Sequence, residues 1–176
     1  MQKQDWNDRT EVKKGNIGES IVTTYLENKG YVVYEPVTDK AHHFDKVISK
    51  DKKFLAIAEV KTYEMLKFKD ETGINLKNYK EYLDIKNLDV FIFFVDSTTN
   101  REKESFEELH SSIYGNKLII LSEKTLIKGK EYPYVMRTPN GLKMMFHLSK
   151  MKKIGELTKD QCLDIKKYSK LNNKYK

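Results

Sequence analysis

The stretch FLAIAEVK, residues 54–61, decides how this chain folds. Read as a strand, its alternation sets Leu55, Ile57, Glu59 and Lys61 on one face and Phe54, Ala56, Ala58 and Val60 on the other. Both faces begin apolar, so the strand belongs inside a sheet covered on two sides. One face ends in Glu59 and Lys61, and charges at such a place are costly unless they are paired or bind a cation. The strand is therefore a scaffold that carries polar chemistry at its far end.

Working outward, periodicity predicts a helix over about Lys14–Lys29, with Ile17, Ile21 and Tyr25 on one stripe beside Val22 and Leu26, closed by Gly30. Strands follow at Tyr31–Val37 and Phe44–Ser49, and SKDKK turns the chain into the 54–61 strand. Leu76, Tyr79 and Leu83 predict a second helix from Ile74 to about Lys86, opened by Thr72-Gly73. VFIFFVD (residues 90–96) is a continuous apolar run, as a strand buried on both faces requires. Arg101–Ser112 reads as a weak helix and Lys117–Ser122 as another strand. Beyond them, YVMRTPNGLKMMFHL pairs two apolar runs around Pro139-Asn140-Gly141, and Thr158 with Gln161 forms a capping box for a last helix. The result is an α/β chain with an α-β-β-β-α-β core, a mixed central sheet flanked by helices, and a small C-terminal hairpin and helix. Residues 1–127 are expected to form the core, with 128–176 packed on it as a β-hairpin and a basic helix or tail.

If the strands before and after SKDKK are antiparallel neighbours, Asp45 and Glu59 lie near the same end. With Lys61 they make a site for a hard divalent cation with oxygen ligands, and the Val60 carbonyl is a further donor. Glu19, on the first helix between Gly18 and the sheet-facing Val22, supplies a third carboxylate. Gly15 and Gly18 permit close approach of another backbone there.

Gly18-Glu19, Phe44-Asp45 and Glu59-Val60-Lys61, taken in that order, resemble the PD-(D/E)xK nuclease superfamily, and the motif order is similar to that of archaeal-type Holliday junction resolvases. The resemblance spans roughly Lys14 to Asp96, with Phe44 standing where the motif carries proline. It implies a restriction-endonuclease-like core and a metal-dependent endonuclease acting on DNA phosphodiester bonds. Asp45, Glu59, Glu19 and the Val60 carbonyl would hold Mg²⁺ or Mn²⁺, and Lys61 would orient or help deprotonate the attacking water and stabilise charge on phosphorus. Resolvase-like enzymes work as two-fold dimers, and the Met- and Phe-rich hairpin is a candidate dimer surface. The alternative is a nuclease-fold module that binds nucleic acid or a protein without cutting.

Composition narrows the partners. The 176 residues carry 33 basic and 26 acidic side chains, net +7, and 34% of positions are charged. Residues 150–176 alone carry nine lysines and three acids, an electrostatic arm for a polyanion or a solvated tail. Only Arg9, Arg101 and Arg137 are arginine. Since Arg is the main bidentate reader of guanine, backbone or shape recognition is expected over base readout, with RNA as an open alternative to DNA. Asn75, Lys77 and Tyr79 at the second helix, and Lys166 and Lys167 on the last, are candidate nucleic-acid contacts. His42 and His43 precede Asp45 as loop residues. The single Cys162 excludes an internal disulfide, and no apolar run approaches the ~18 residues of a membrane span. A cytoplasmic protein with no membrane partner is expected.

Overall fold

The computed structural model describes residues 9–36, 44–63, 70–97 and 111–168. Helix α1 (Thr10–Asn28) leads to β1 (Val32–Tyr34), β2 (Lys46–Lys50) and β3 (Phe54–Tyr63). Then come β4 (Glu71–Asn75), α2 (Leu76–Leu83), β5 (Asp89–Ser97), β6 (Ser111–Lys117) and the short α3 (Leu118–Ser122). The chain closes with β7 (Thr125–Ile127), β8 (Lys130–Tyr132), β9 (Tyr134–Thr138), β10 (Gly141–His147), β11 (Lys152–Glu156) and α4 (Lys159–Lys167). The central sheet has six strands in the order β1-β2-β3-β5-β6-β11. Only β3 and β5 run parallel; the other neighbours are antiparallel, so the sheet is mixed. The α-β-β-β-α-β order holds through α1, β1, β2, β3, α2 and β5, with β4 interposed and paired outside this sheet.

Alternation in β3 and β5 divides the apolar residues between two cores. Ala56, Ala58 and Val60 with Phe93 and Val95 pack under Ile21, Val22 and Leu26 of α1 and Ile165 of α4. Ile57 with Val90, Ile92 and Phe94 packs against Tyr79 and Tyr82 of α2, Leu118 and Leu121 of α3, and Phe146 of β10. Covering on both faces is the physical reason that VFIFFV shows no polar alternation. Helix α1 approaches β3 closely at Gly18, where a Cβ would stand 1.8 Å from Thr62 Oγ1. Gly15 has no such neighbour within 4 Å.

Two local readings need correction. Thr72, Gly73, Ile74 and Asn75 do not open a helix: they form β4, and the helix starts at Leu76. Gly73 lies against the Met144 carbonyl of β10, a contact that pairing imposes and local periodicity does not show. Leu118–Ser122 is a helical turn, because Leu118 and Leu121, three apart, are buried while Ile119 and Ile120 between them are exposed. Of the expected Arg101–Ser112 helix, only Ser111 and Ser112 lie among the described residues, and both are in β6.

The hairpin around Pro139-Asn140 forms as expected, with Gly141 at φ 106°. Its apolar residues divide, however: Val135 and Leu142 are exposed and Met144 is half-buried. Met145 and Phe146 are fully buried, so of the Met and Phe residues these two belong to no free surface. The Thr158–Gln161 capping box also forms, with reciprocal bonds of 2.8 and 3.3 Å. Cys162 is buried as a small packing residue. Residues after 127 supply β11 to the central sheet and Ile165 to its core. Among the described residues no helix is long and apolar enough to cross a membrane.

Candidate active site

Strand β2 has five residues and β3 has ten. Their register runs from Lys50↔Phe54 to Lys46↔Ala58, where β2 begins, while β3 continues beside β5 as far as Tyr63↔Asp96. Just before β2 the chain bends at Asp45, and its Oδ2 accepts the Val60 N–H at 2.7 Å. A side chain thus replaces the missing ladder partner. At this point groups from both sheet faces come within electrostatic reach of one another.

Glu59 and Lys61 lie on the α2 face. Glu59 is 2% exposed and makes an ion pair through Oε1 with the partly exposed Lys61 ammonium. Its Oε2 has no hydrogen-bond partner. Burial raises the Glu59 carboxyl above the usual range; Lys61 opposes this and the Asp45 charge adds to it. Burial pulls Lys61 down, but Glu59 and Asp45 outweigh it and leave the ammonium above its ordinary value. The Tyr82 hydroxyl is pushed far up by burial and the Glu59 charge, so it stays protonated as a donor.

Glu19 approaches from the α1 face. Its Oε2 lies 3.5 Å from Lys46 Nζ, which also reaches Glu35 Oε1 at 2.6 Å. Lys46 is 1% exposed. Burial first, then the Asp45 charge, raises the Glu19 carboxyl, with Lys46 and Lys61 opposing. Glu35, hydrogen-bonded by Lys46, is lowered. Around the end of β2 the Asp45 charge thus acts on Glu19, Glu59 and Lys61, and the Lys61 charge on Glu19 and Glu59, which links the four expected residues. His42 and His43 lie outside the described residues.

The donor set is hard oxygen, and the unpartnered, buried Glu59 Oε2 fits a divalent cation. Among the described residues no three carboxylate, histidine or cysteine side chains are close enough to share one ion in this arrangement. Asp45 is turned onto Val60 N–H and Glu59 onto Lys61.

The expected nucleic-acid contacts divide. Asn75 is exposed and caps α2, accepting the Lys77 N–H at 2.9 Å, and Lys77 is 81% exposed. Tyr79 is a correction: it is buried against Phe146, 6.1 Å between ring centroids, and presents no free face for a base. Lys167 is exposed and pairs with Asp164 at 2.6 Å on α4, and Lys166 is half-buried there.

Sequence reasoning passed over Lys46, although Lys46 and Ile48 alternate onto the buried face of β2 and so carry the signal. It also passed over Glu71, whose carboxylate accepts bonds from the Tyr132 and Tyr134 hydroxyls and, at 2.9 Å, from Lys130 Nζ. Burial alone would raise Glu71, but these donors hold it below the usual carboxylate range, and Tyr132 is pushed up to about 12, chiefly by burial and that bond. No sequence spacing announces partners 59 to 63 positions apart.

Comparison of the sequence with protein-family profiles and with curated proteins finds no match. Among solved structures, the chain is similar to Hjc of Archaeoglobus fulgidus, a Holliday junction resolvase from an archaeal hyperthermophile. The TM-score is 0.48 at 11% identity, over 80% of this chain and 96% of that one. A likeness at that score carries no argument about this chain's chemistry.

Proposed function

We propose that this chain hydrolyses DNA phosphodiester bonds, using Mg²⁺ or Mn²⁺ held by Asp45, Glu59 and Glu19 with the Val60 carbonyl as a further donor. The observation that supports this reading is the Asp45 charge acting on Glu19, Glu59 and Lys61 at the end of β2, with Glu59 Oε2 buried and unpartnered. A cluster of carboxylates repels a phosphate unless a cation joins it. A bound divalent ion supplies Lewis-acid polarisation of a phosphoryl oxygen and a more acidic water.

The chain's own groups do the rest. Lys61, whose ammonium Glu59 and Asp45 hold above its ordinary value, serves as a cation for the attacking water and for charge developing on the phosphoryl oxygens. Asp45 is oriented by the Val60 N–H and Glu19 by Lys46, which fixes both carboxylates before substrate arrives. The scarcity of Arg favours a structure-selective or weakly sequence-specific target.

A non-cleaving nucleic-acid-binding module is the second reading. It is favoured by the Glu59–Lys61 ion pair, which offsets the carboxylate charge with a group of the chain itself. One experiment separates the two. Supercoiled plasmid, linear duplex, single strand and a four-way junction are incubated with Mg²⁺, Mn²⁺ or EDTA, using wild type, Glu59→Ala and Lys61→Ala. Metal-dependent cutting that both substitutions abolish, in variants that still melt cooperatively, upholds the nuclease. Salt-sensitive binding without cutting by wild type, unchanged in both variants, sinks it.

A further inference from the structure

The β9–β10 hairpin does more than cover the α2 core. Pairing of β10 with β4 and β9 sets Lys143 opposite Asn75 on one side and Met136 on the other. Its Nζ stands 4.6 Å from the centroid of the Tyr63 ring. Tyr63 is two residues beyond Lys61 on the same face of β3, and it is stacked 6.3 Å from Phe94. A residue 80 positions distant in sequence is thereby brought to the charged end of β3.

The charges acting on Lys143 are those of Lys14, on α1, and Lys61. Burial and these two like charges hold the Lys143 ammonium below its usual range. Lys61 has Glu59 for a partner, whereas no carboxylate among the described residues pairs with Lys143 or Lys14. Lys143 thus stands without a carboxylate partner on the face of β3 that carries Lys61, whose own charge Glu59 and Asp45 offset. An aromatic ring under Lys143 holds its stem in place without neutralising it.

We propose that Lys143, held over Tyr63 by the hairpin, grips a phosphate of the substrate backbone next to the one at Lys61. The proposal rests on the reading of this site as one that takes a nucleic-acid strand. It gives the hairpin a positioning role: a polyanion seated at Lys61 carries a neighbouring phosphate, and Lys143 is the cation placed to meet it. Such a contact reads charge and spacing and not sequence.

The test is fluorescence anisotropy in Ca²⁺, a hard cation that fills an oxygen-ligand site, with a short DNA duplex, a four-way junction and a single-stranded RNA, for wild type, Lys143→Ala and Lys143→Arg. One phosphate contact contributes about 0.9 to the slope of log K against log salt, or roughly eightfold in affinity between 1 M and 0.1 M salt. Lys143→Ala is expected to weaken binding by about that factor at 0.1 M, equally for unrelated sequences, and to flatten the slope by about 0.9. Lys143→Arg is expected to restore both. In cleavage, KM rises and kcat holds. Unchanged affinity and slope in Lys143→Ala overturn the proposal, whether or not its melting temperature falls, as does a wild type that binds none of the probes. A wild type that cuts, with Lys143→Ala binding as well as it does, leaves the nuclease standing and removes the Lys143 contact. Lys143-dependent binding by a protein that never cuts does the reverse.

Discussion

The buried ammonium of Lys46 gives the sharpest quantitative forecast. It is the enclosed member of its cluster, while Glu19 is 31% and Glu35 is 58% exposed. At an effective dielectric near 20, gross attractions across 3.5 and 2.6 Å are about 5 and 6 kcal/mol. Most of this offsets the cost of taking the ammonium out of water, and exposure of Glu35 screens its share further. Removing either carboxylate alone leaves the other in place, so Glu19→Gln or Glu35→Gln should each cost only about 0.5–1.5 kcal/mol. Removing both strands a buried cation and should cost about 3–5 kcal/mol, the ceiling being set by the roughly 5 kcal/mol needed to deprotonate a lysine at pH 7. Lys46→Met deletes the buried charge itself and should fall within about 1 kcal/mol of wild type. Urea unfolding of all four variants reads these values, provided the m-values agree. Costs in the double variant that equal the sum of the singles within ~0.5 kcal/mol would refute the reasoning. So would a Lys46→Met protein destabilised by several kcal/mol.

Two further expectations concern pH and packing. Glu59 and Glu19 are raised above the ordinary carboxylate value of 4.5, so the folded chain holds more protons than the unfolded one just above that pH. Their contribution is full below 4.5 and is lost as pH rises through the folded values, whereas that of lowered Glu71 is lost as pH falls. In thermal melts across pH, Glu59→Gln should therefore flatten the loss on the neutral side, and Glu71→Gln the loss on the acid side; parallel curves for wild type and both variants would contradict this. Gly18→Ala puts a methyl 1.8 Å from Thr62 Oγ1 and should cost about 3 kcal/mol in urea unfolding. Adding Thr62→Ala should recover part of that loss, and an unshifted midpoint in Gly18→Ala would show that α1 does not sit on β3 as described.

How much of this was legible beforehand depended on where the partners lay. Alternation in residues 54–61 divided the two faces, and Ala56 and Ala58 pack in one core and Ile57 in the other. The capping box at Thr158 was equally plain, because its bonds are local. Strand β4 was hidden, since Leu76 and Tyr79 behind it carry a helical spacing that extends back over Ile74, and only pairing with β10 shows otherwise. The apolar run 118–121 fits strand or helix alike, and burial at intervals of three decides it. Within the site, Glu19, Asp45, Glu59 and Lys61 could be listed from spacing, but their cations could not. Lys46 beside Asp45 reads as a solvated lysine until α1 covers it, and Lys143 becomes relevant only through the stacking of Tyr63 beneath it.

The unequal lengths of β2 and β3 have a consequence of their own. A complete sheet is a partition: side chains on its two faces are separated by backbone and cannot share a ligand. Because β2 starts only at Lys46, the partition has a doorway at Asp45, and Glu19 on one side answers to Lys61 on the other. With a second strand as long as the third, the same four charged residues would be sorted into separate rooms, Glu59–Lys61 an inert buried pair and Glu19 a helix-surface acid. Whether these side chains make a site or merely a well-behaved core is thus decided by where one strand stops, a property that no single residue of the four encodes.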